Sequence, residues 1–262
     1  MTILQRHPRL VAALEGEMTP KFLATRSAAG TPNVVPVTSI LPVRDGNDTI
    51  FFGNFLLRKT IVNLGQDRRA AVLVITDSLD GWRLTCDFAR FETHGPCADR
   101  QSNSPLLRYN AYTGIRDAGL LDVNAVDEEF SMSRLSLAAA FLATRCCRAP
   151  ADCGLTIPLA ARREWGRFKA VKVVAWIGED GYPDIAPALT LQPGSEGTLV
   201  CWMDTRLRGG PRSGAEVAAN VLTMDAISYQ VKGVWEARGV TGAIRVREVY
   251  AGGPPLPGGR IA

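Results

Sequence analysis

The feature that most constrains this chain is that its strand-forming segments occur twice, in the same order. "GTPNVVPVTSI" (30–40) matches "GYPDIAPALTL" (181–191) at Gly and both Pro, an offset of 151 residues. "DTIFF" (48–52) matches "GTLVC" (197–201) at 149, and "AAVLVITD" (70–77) matches "AANVLTMD" (218–225) at 148. "WRLTCDFARF" (82–91) matches "YQVKGVWEAR" (229–238) at 147. Four matches in order, with an offset that drifts by only four residues, mark a duplication rather than chance likeness between strands. A chain of 262 residues built this way is long enough for two similar units with ample core.

Each unit reads mostly as strands. Residues 34–40 and 185–191 are β-rich runs preceded by Gly-x-Pro turn signals, and "VRDGNDT" (43–49) is a hairpin turn with Asp45-Gly46 at its tip. A short amphipathic segment follows each hairpin, carrying Ile61 and Leu64 in the first copy and Val217 in the second, and two further strands complete the unit. Short, closely spaced strands with one intervening helix predict small antiparallel barrels rather than βαβ units. The fold class is therefore mainly β with helices (β-barrel plus α). The units are expected at 1–96 and 166–250, joined by a helical linker at 97–165 and followed by a Gly/Pro-rich arm at 251–262. Within the linker, "VDEEFSMSRLSLAAAFLATR" (126–145) places Phe130, Leu137 and Phe141 on one helical stripe. Asp127, Glu128 and Glu129 fall in its first turn, as the helix dipole favours.

Thirty basic against 26 acidic residues leave a net charge of +4, too small to argue for nucleic acid or a membrane surface. No apolar run approaches ~18 residues and no signal-peptide pattern opens the chain, so a cytoplasmic protein is expected. The six cysteines (86, 97, 146, 147, 153 and 201) are too sparse for a disulfide scaffold and lack Cys-x-x-Cys spacing. With only His7 and His94 beside them, no metal site is predicted.

One stretch suggests ligand chemistry. In "LLRKTIVNL", Arg58-Lys59-Thr60 stands where a strand hands over to a helix. A phosphate is best held by helix N-terminal amides, a hydroxyl and one or two cations, all of which this tripeptide can supply. Thr60 is equally suited to a plain N-cap. Upstream, Thr38 and Ser39 end a strand with small hydroxyl residues, against which a planar ring can lie.

The order strand "VVPVTS", hairpin, strand "IFFGN", then "KTIVNLGQDRRAAVLVI" and "GWRLTCDFARFETHGP" resembles the FMN-binding split-barrel family. That family includes pyridoxamine phosphate oxidase-like proteins, small FMN-binding proteins and flavin reductases. The resemblance covers residues 20–96 well and 170–250 more loosely. It implies two tandem split β-barrels and FMN as cofactor, with the phosphate held by Lys59 and Thr60 beside Arg58. It also implies that Val37, Thr38, Ser39, Gly53 and Asn54 face the isoalloxazine, while Asn63, one turn after Thr60, caps or braces the corner rather than touching the ligand. Family members are usually homodimers with flavins at the interface. A duplicated chain can mimic such a dimer internally, with a homodimer of whole chains as the alternative.

The second copy departs from the pattern. Its "RLRGGPRSGAEV" (206–217) has no Lys-Thr pair, and Gly209, Gly210 and Pro211 break the helix start. Arg206, Arg208, Arg212 and Ser213 form either an anion seat of another geometry or a solvated loop, and Trp202 is expected in the core. One flavin site per chain follows. No Ser-His-Asp set or carboxylate pair stands out, which is consistent with a cofactor carrying the chemistry. The resemblance thus implies an FMN-dependent oxidoreductase acting on a small molecule, with NAD(P)H as the candidate donor. The alternatives are a non-catalytic FMN or electron carrier, or a barrel that binds haem or another flat cofactor. Pyridoxamine phosphate oxidation itself is not expected, because only Arg260 in "GGRIA" offers a counterpart to that enzyme's C-terminal arginine motif.

Overall fold

The computed structural model describes residues 1–55, 57–103, 117–147, 155–204, 210–252 and 258–262; Cys153, Arg206, Arg208 and Gly209 lie outside them. After helix α1 (Pro8–Glu15) come β1 (Lys21–Arg26), β2 (Pro32–Pro36), β3 (Leu41–Pro42) and β4 (Thr49–Gly53). Helix α2 (Arg58–Gln66) leads to β5 (Arg69–Ile75) and β6 (Asp80–Glu92), and α3 (Pro96–Ser102) precedes β7 (Ala118–Val126). These strands form one antiparallel sheet in the order β2-β1-β5-β6-β7-β4-β3, with β8 (Phe130–Ser131) added to β6. Helices α4 (Arg134–Thr144) and α5 (Leu159–Trp165) connect it to the second sheet. That sheet contains β9 (Val171–Ile177), β10 (Pro183–Pro187), β11 (Gln192–Pro193), β12 (Thr198–Trp202), β13 (Glu216–Leu222), β14 (Ser228–Arg238) and β15 (Thr241–Ala251). Its order, β10-β9-β13-β14-β15-β12-β11, repeats the first once eight is added to every strand number. The chain is two tandem split β-barrels.

Register sharpens the alignment of the copies. Phe22 pairs with Leu73 and Val173 with Asn220, which makes Leu73 the counterpart of Asn220. The sequence match over 70–77 and 218–225 is therefore one residue out of step. The true register is fixed by a repeated turn in which the Thr76 hydroxyl accepts from the Asp80 N–H at 3.2 Å and the Thr223 hydroxyl from the Ile227 N–H at 3.1 Å.

Four expectations about the connections are corrected. The segment expected as a helical linker contributes β7, which lies between β6 and β4 as β15 lies between β14 and β12. The first unit therefore runs to Val126, not residue 96. Its last strand is displaced in sequence by α3 and residues 104–116, a connection the second copy makes with a tight turn at Gly239. The helix expected over 126–145 begins only at Arg134, because the Ser133 hydroxyl accepts the Ser136 N–H at 3.4 Å and caps it. Phe130 lies in β8 and the acidic trio precedes the helix. The chain's end is not a free arm: β16 (Gly259–Arg260) returns to pair with β15. Val217 belongs to β13, and among the described residues no helix stands between β12 and β13.

Each barrel has its own core. The first contains Leu23, Phe52, Val72, Trp82 and Leu84; the second contains Val174, Leu199, Val231, Trp235 and Ile244. A third cluster joins them, with Phe22, Ala24, Val34 and Ala71 against Val173, Ala175, Ile185 and Ala218. Strands β1, β2 and β5 and their twins are thus covered on both faces, which explains their near-continuous apolar runs. Contacts between the repeats are reciprocal: β2 meets β13 as β10 meets β5, and β2 meets β9 as β10 meets β1. This is the pattern of an isologous, two-fold interface.

A polar latch closes one end of the interface. Arg26 Nη1 donates to the Gly181 carbonyl at 2.6 Å, and Tyr182 Oη donates to Asp87 at 3.1 Å. Gly181 has φ +81°, a left-handed conformation that strains any other residue, and a Cβ there would also displace the Arg69 guanidinium, 2.5 Å away. No helix among the described residues is long and apolar enough to cross a membrane.

Because Phe22 is fully buried between the repeats, Phe22→Ala should cost about 3–5 kcal/mol. Denaturant unfolding should show one transition for both repeats in the wild-type chain. Two separated wild-type transitions would show that the shared face does not couple them.

Candidate functional site

Helix α2 starts at Arg58 because Leu57, with φ −89° and ψ 51°, leaves the helical region and offers no capping side chain. The N–H groups of Arg58, Lys59 and Thr60 therefore have no acceptor inside the helix. Thr60 is not the N-cap; it is the third helical residue and 1% exposed. Its hydroxyl accepts from Asn33 Nδ2 at 3.3 Å. Asn63 Nδ2 donates to the Thr25 hydroxyl at 3.1 Å, so Asn63 braces α2 against β1. From the second repeat, Gln230 Nε2 donates to Asn33 Oδ1 at 3.2 Å and to the Val34 carbonyl at 2.5 Å. This buried network fixes α2 to both repeats, since a buried amide left without partners would be costly.

A cavity of about 210 Å³ opens at this junction. The first repeat lines it with Asn33, Val35, Arg58, Lys59 and Thr60, and the second with Asn220, Ser228, Gln230 and Tyr250. Lys59 is half-buried, its Nζ 3.2 Å from the centre of the Tyr250 ring. Burial lowers its pKa to about 8; the nearby Lys232 and Arg260 cations push the same way and Glu248 opposes them. Tyr250 Oη donates to Glu248 Oε2 at 2.5 Å, and burial together with that bond raises the phenol to about 12.

The structure brings Arg58, Lys59 and Thr60 together at this cavity and leaves the other five sequence candidates outside its lining. Val37 lies in the first barrel's core, and the Thr38 carbonyl accepts from the buried Lys21 ammonium at 3.1 Å. The Ser39 hydroxyl accepts the Gly53 N–H at 3.2 Å, and its carbonyl accepts from Gln101 Nε2 at 2.6 Å. The Asn54 N–H donates to the Asp117 carbonyl at 2.9 Å. Their chain neighbours Pro36 and Phe55 do line the cavity. The second copy repeats the strand clasp, with the Thr190 hydroxyl accepting the Trp202 N–H at 3.0 Å. Trp202 is half-buried and lines a separate cleft beneath α4, rather than standing in the core.

Sequence reasoning missed Ser228, Gln230 and Tyr250. The signal was present in "SYQVK" (228–232), where alternation sends Val231 into the barrel core and Ser228 and Gln230 to the opposite face.

The two-fold counterpart of this cavity is built over. Arg83, the register twin of Gln230, pairs with Asp184 at 3.3 Å and Asp127 at 2.5 Å. The Phe130 ring lies where a Cβ on Gly81, the twin of Ser228, would stand 2.4 Å away. In place of α2, Arg212 pairs with Glu179 and the Ser213 hydroxyl accepts the Ala237 N–H at 2.9 Å.

No family model matches the chain, and no curated protein does. Several solved structures are similar to part of it. An FMN-binding protein from Syntrophomonas wolfei subsp. wolfei is 20% identical, with TM-score 0.40, over 50% of this chain and 88% of that one. HupZ of Group A Streptococcus is 16% identical, with TM-score 0.38, over 45% and 90%. HutZ, a haem storage protein from Vibrio cholerae, is 14% identical, with TM-score 0.37, over 50% and 98%. The fold and duplication rest on the strand order and register given above.

The Lys59 ammonium attracts an anion only while protonated. Inorganic phosphate should therefore bind more weakly as pH rises through about 8, with proton uptake on binding that calorimetry in buffers of different ionisation enthalpy would detect. Affinity unchanged across that range would exclude Lys59 from the anion's contacts.

Proposed function

We propose that the chain binds FMN in the cavity between its repeats. The carrying observation is an uncapped helix N-terminus and a half-buried lysine opening into a cavity made by both copies. Amides, hydroxyl and cations suit a phosphate, and the Asn220 amide as donor, with the Ser228 and Gln230 oxygens as acceptors, suits the polar edge of a flat heterocycle; the Ser228 hydroxyl and the Gln230 amide hydrogens are already given to Asn220, Asn33 and Val34. The residues present therefore fit the group. Arg58, Lys59 and Thr60 would hold the phosphate, and the amide and hydroxyl side chains of the second repeat would orient the ring. Bound there, FMN would supply hydride and electron transfer. The chain's own part is to bind, to orient and to shield the site from water with Tyr250 and the strands around it.

An NAD(P)H-dependent oxidoreductase is the favoured use of such a site, with an electron carrier as the alternative. Bleaching of the flavin by NADH or NADPH and its reoxidation by a defined acceptor separate the two. For a haem reading the cavity offers no histidine: neither His7 nor His94 lines it. Its phenol, Tyr250, is held protonated.

Titration should find one FMN per chain. Lys59→Ala should weaken binding by more than ~1.5 kcal/mol, the lower range for a lost charge-assisted hydrogen bond. An unchanged dissociation constant would reject the phosphate assignment, and two FMN per chain would reject the reading of the counterpart as closed.

A further inference from the structure

We infer that Lys232, on the second repeat, is a second cation for the anion held at α2, so that one phosphate dianion is gripped from both copies. The inference rests on reading the cavity as an anion seat and adds a residue to it.

Lys232 follows Ser228 and Gln230 on the same face of β14, two strand positions beyond the cavity lining. Across β15, Gln230 pairs with Tyr250 and Lys232 with Glu248, so the two rows run on together. Lys232 is half-buried, yet its ammonium has no hydrogen bond or ion pair among the described residues. Two carboxylates act on it from a distance, Glu248 and Glu216, and both are engaged elsewhere: Glu248 by Tyr250 Oη at 2.5 Å and Arg260 Nη1 at 3.3 Å, Glu216 by the Thr31 hydroxyl at 3.2 Å. Lys59 is in the same position: its Nζ has the Tyr250 ring and, among the described residues, no carboxylate within ion-pair distance.

Two ammonium groups from different repeats thus lie partly out of water and near enough to repel each other; Glu248 acts on both and Glu216 on Lys232, but among the described residues no carboxylate forms an ion pair with either. Such an arrangement is unfavourable alone and becomes favourable when a dianion neutralises both. The register twin of Lys232 in the first copy is Thr85, which is uncharged. The cation therefore occurs only on the side that faces α2. A phosphomonoester matches this charge, whereas a neutral head group leaves both lysines without an ion pair.

The test uses the full chain with FMN, riboflavin and inorganic phosphate as probes. Lys232→Met should weaken FMN binding by about tenfold or more while riboflavin affinity stays within about twofold. Inorganic phosphate should raise the unfolding temperature of the wild type and fail to raise that of Lys232→Met, with Lys232→Arg restoring the rise. Should the Met variant not fold, Lys232→Gln takes its place in the same titrations. Equal loss of FMN and riboflavin, or an undiminished phosphate response, would overturn the inference. Phosphate binding that needs both lysines, in a chain that ignores FMN, would overturn the flavin reading and leave this inference standing. FMN binding indifferent to Lys232 would do the reverse.

Discussion

The apolar face shared by β1, β2 and β5 with β9, β10 and β13 is the constraint on which the remainder depends. Four alanines, Ala24, Ala71, Ala175 and Ala218, lie in it beside Phe22, Val34, Val173 and Ile185. Small side chains let two sheets approach closely, and their burial on both sides pins the register, since a slip of one residue would exchange the two faces. Because β2 is held against β13 and β14 there, Asn33 comes within reach of Gln230. The cavity is a consequence of that contact. Neither repeat forms it alone.

The two halves of the interface obey the same geometry and use it differently. On one side a helix begins with its amides and Lys59 facing the junction. On the other, Gly210 and Pro211 are not helical, and Arg83, Asp184, Asp127 and Phe130 fill the space. An empty apolar gap costs stability, so a site without a ligand is best filled by the chain's own side chains. Filling the counterpart also accounts for strand β8, which has no twin among the described residues of the second copy and carries Phe130 across Gly81.

What could be read beforehand was local. The paired Gly-x-Pro turns, the Asp45-Gly46 hairpin and the cation cluster at Arg58–Thr60 announce themselves within a few residues. Strand β7 did not, because the connection before it differs between copies and breaks the repeat spacing. Phe130 fell on a helical stripe with Leu137 and Phe141 by coincidence of period; Ser133 decides where the helix starts. For Val37, Ser39 and Gly53 the sequence marks a strand end but not which side of it faces a ligand, and tertiary packing turned them to the barrel and to one another. For Gln230 the alternation in "SYQVK" marks a face of β14 but not what that face meets, which is set by a partner more than 150 residues away in sequence.

Encoding both halves of a two-fold interface in one chain has a further consequence. In a symmetric homodimer each amino-acid change is made twice, so any improvement at one pocket is imposed on the other and on every contact the residue makes there. Here the pairs Gln230 and Arg83, Ser228 and Gly81, and Lys232 and Thr85 are inherited separately. One member of each pair is free to specialise while its twin serves packing. Covalent linkage thereby releases the pocket from the rule that both sides must be the same.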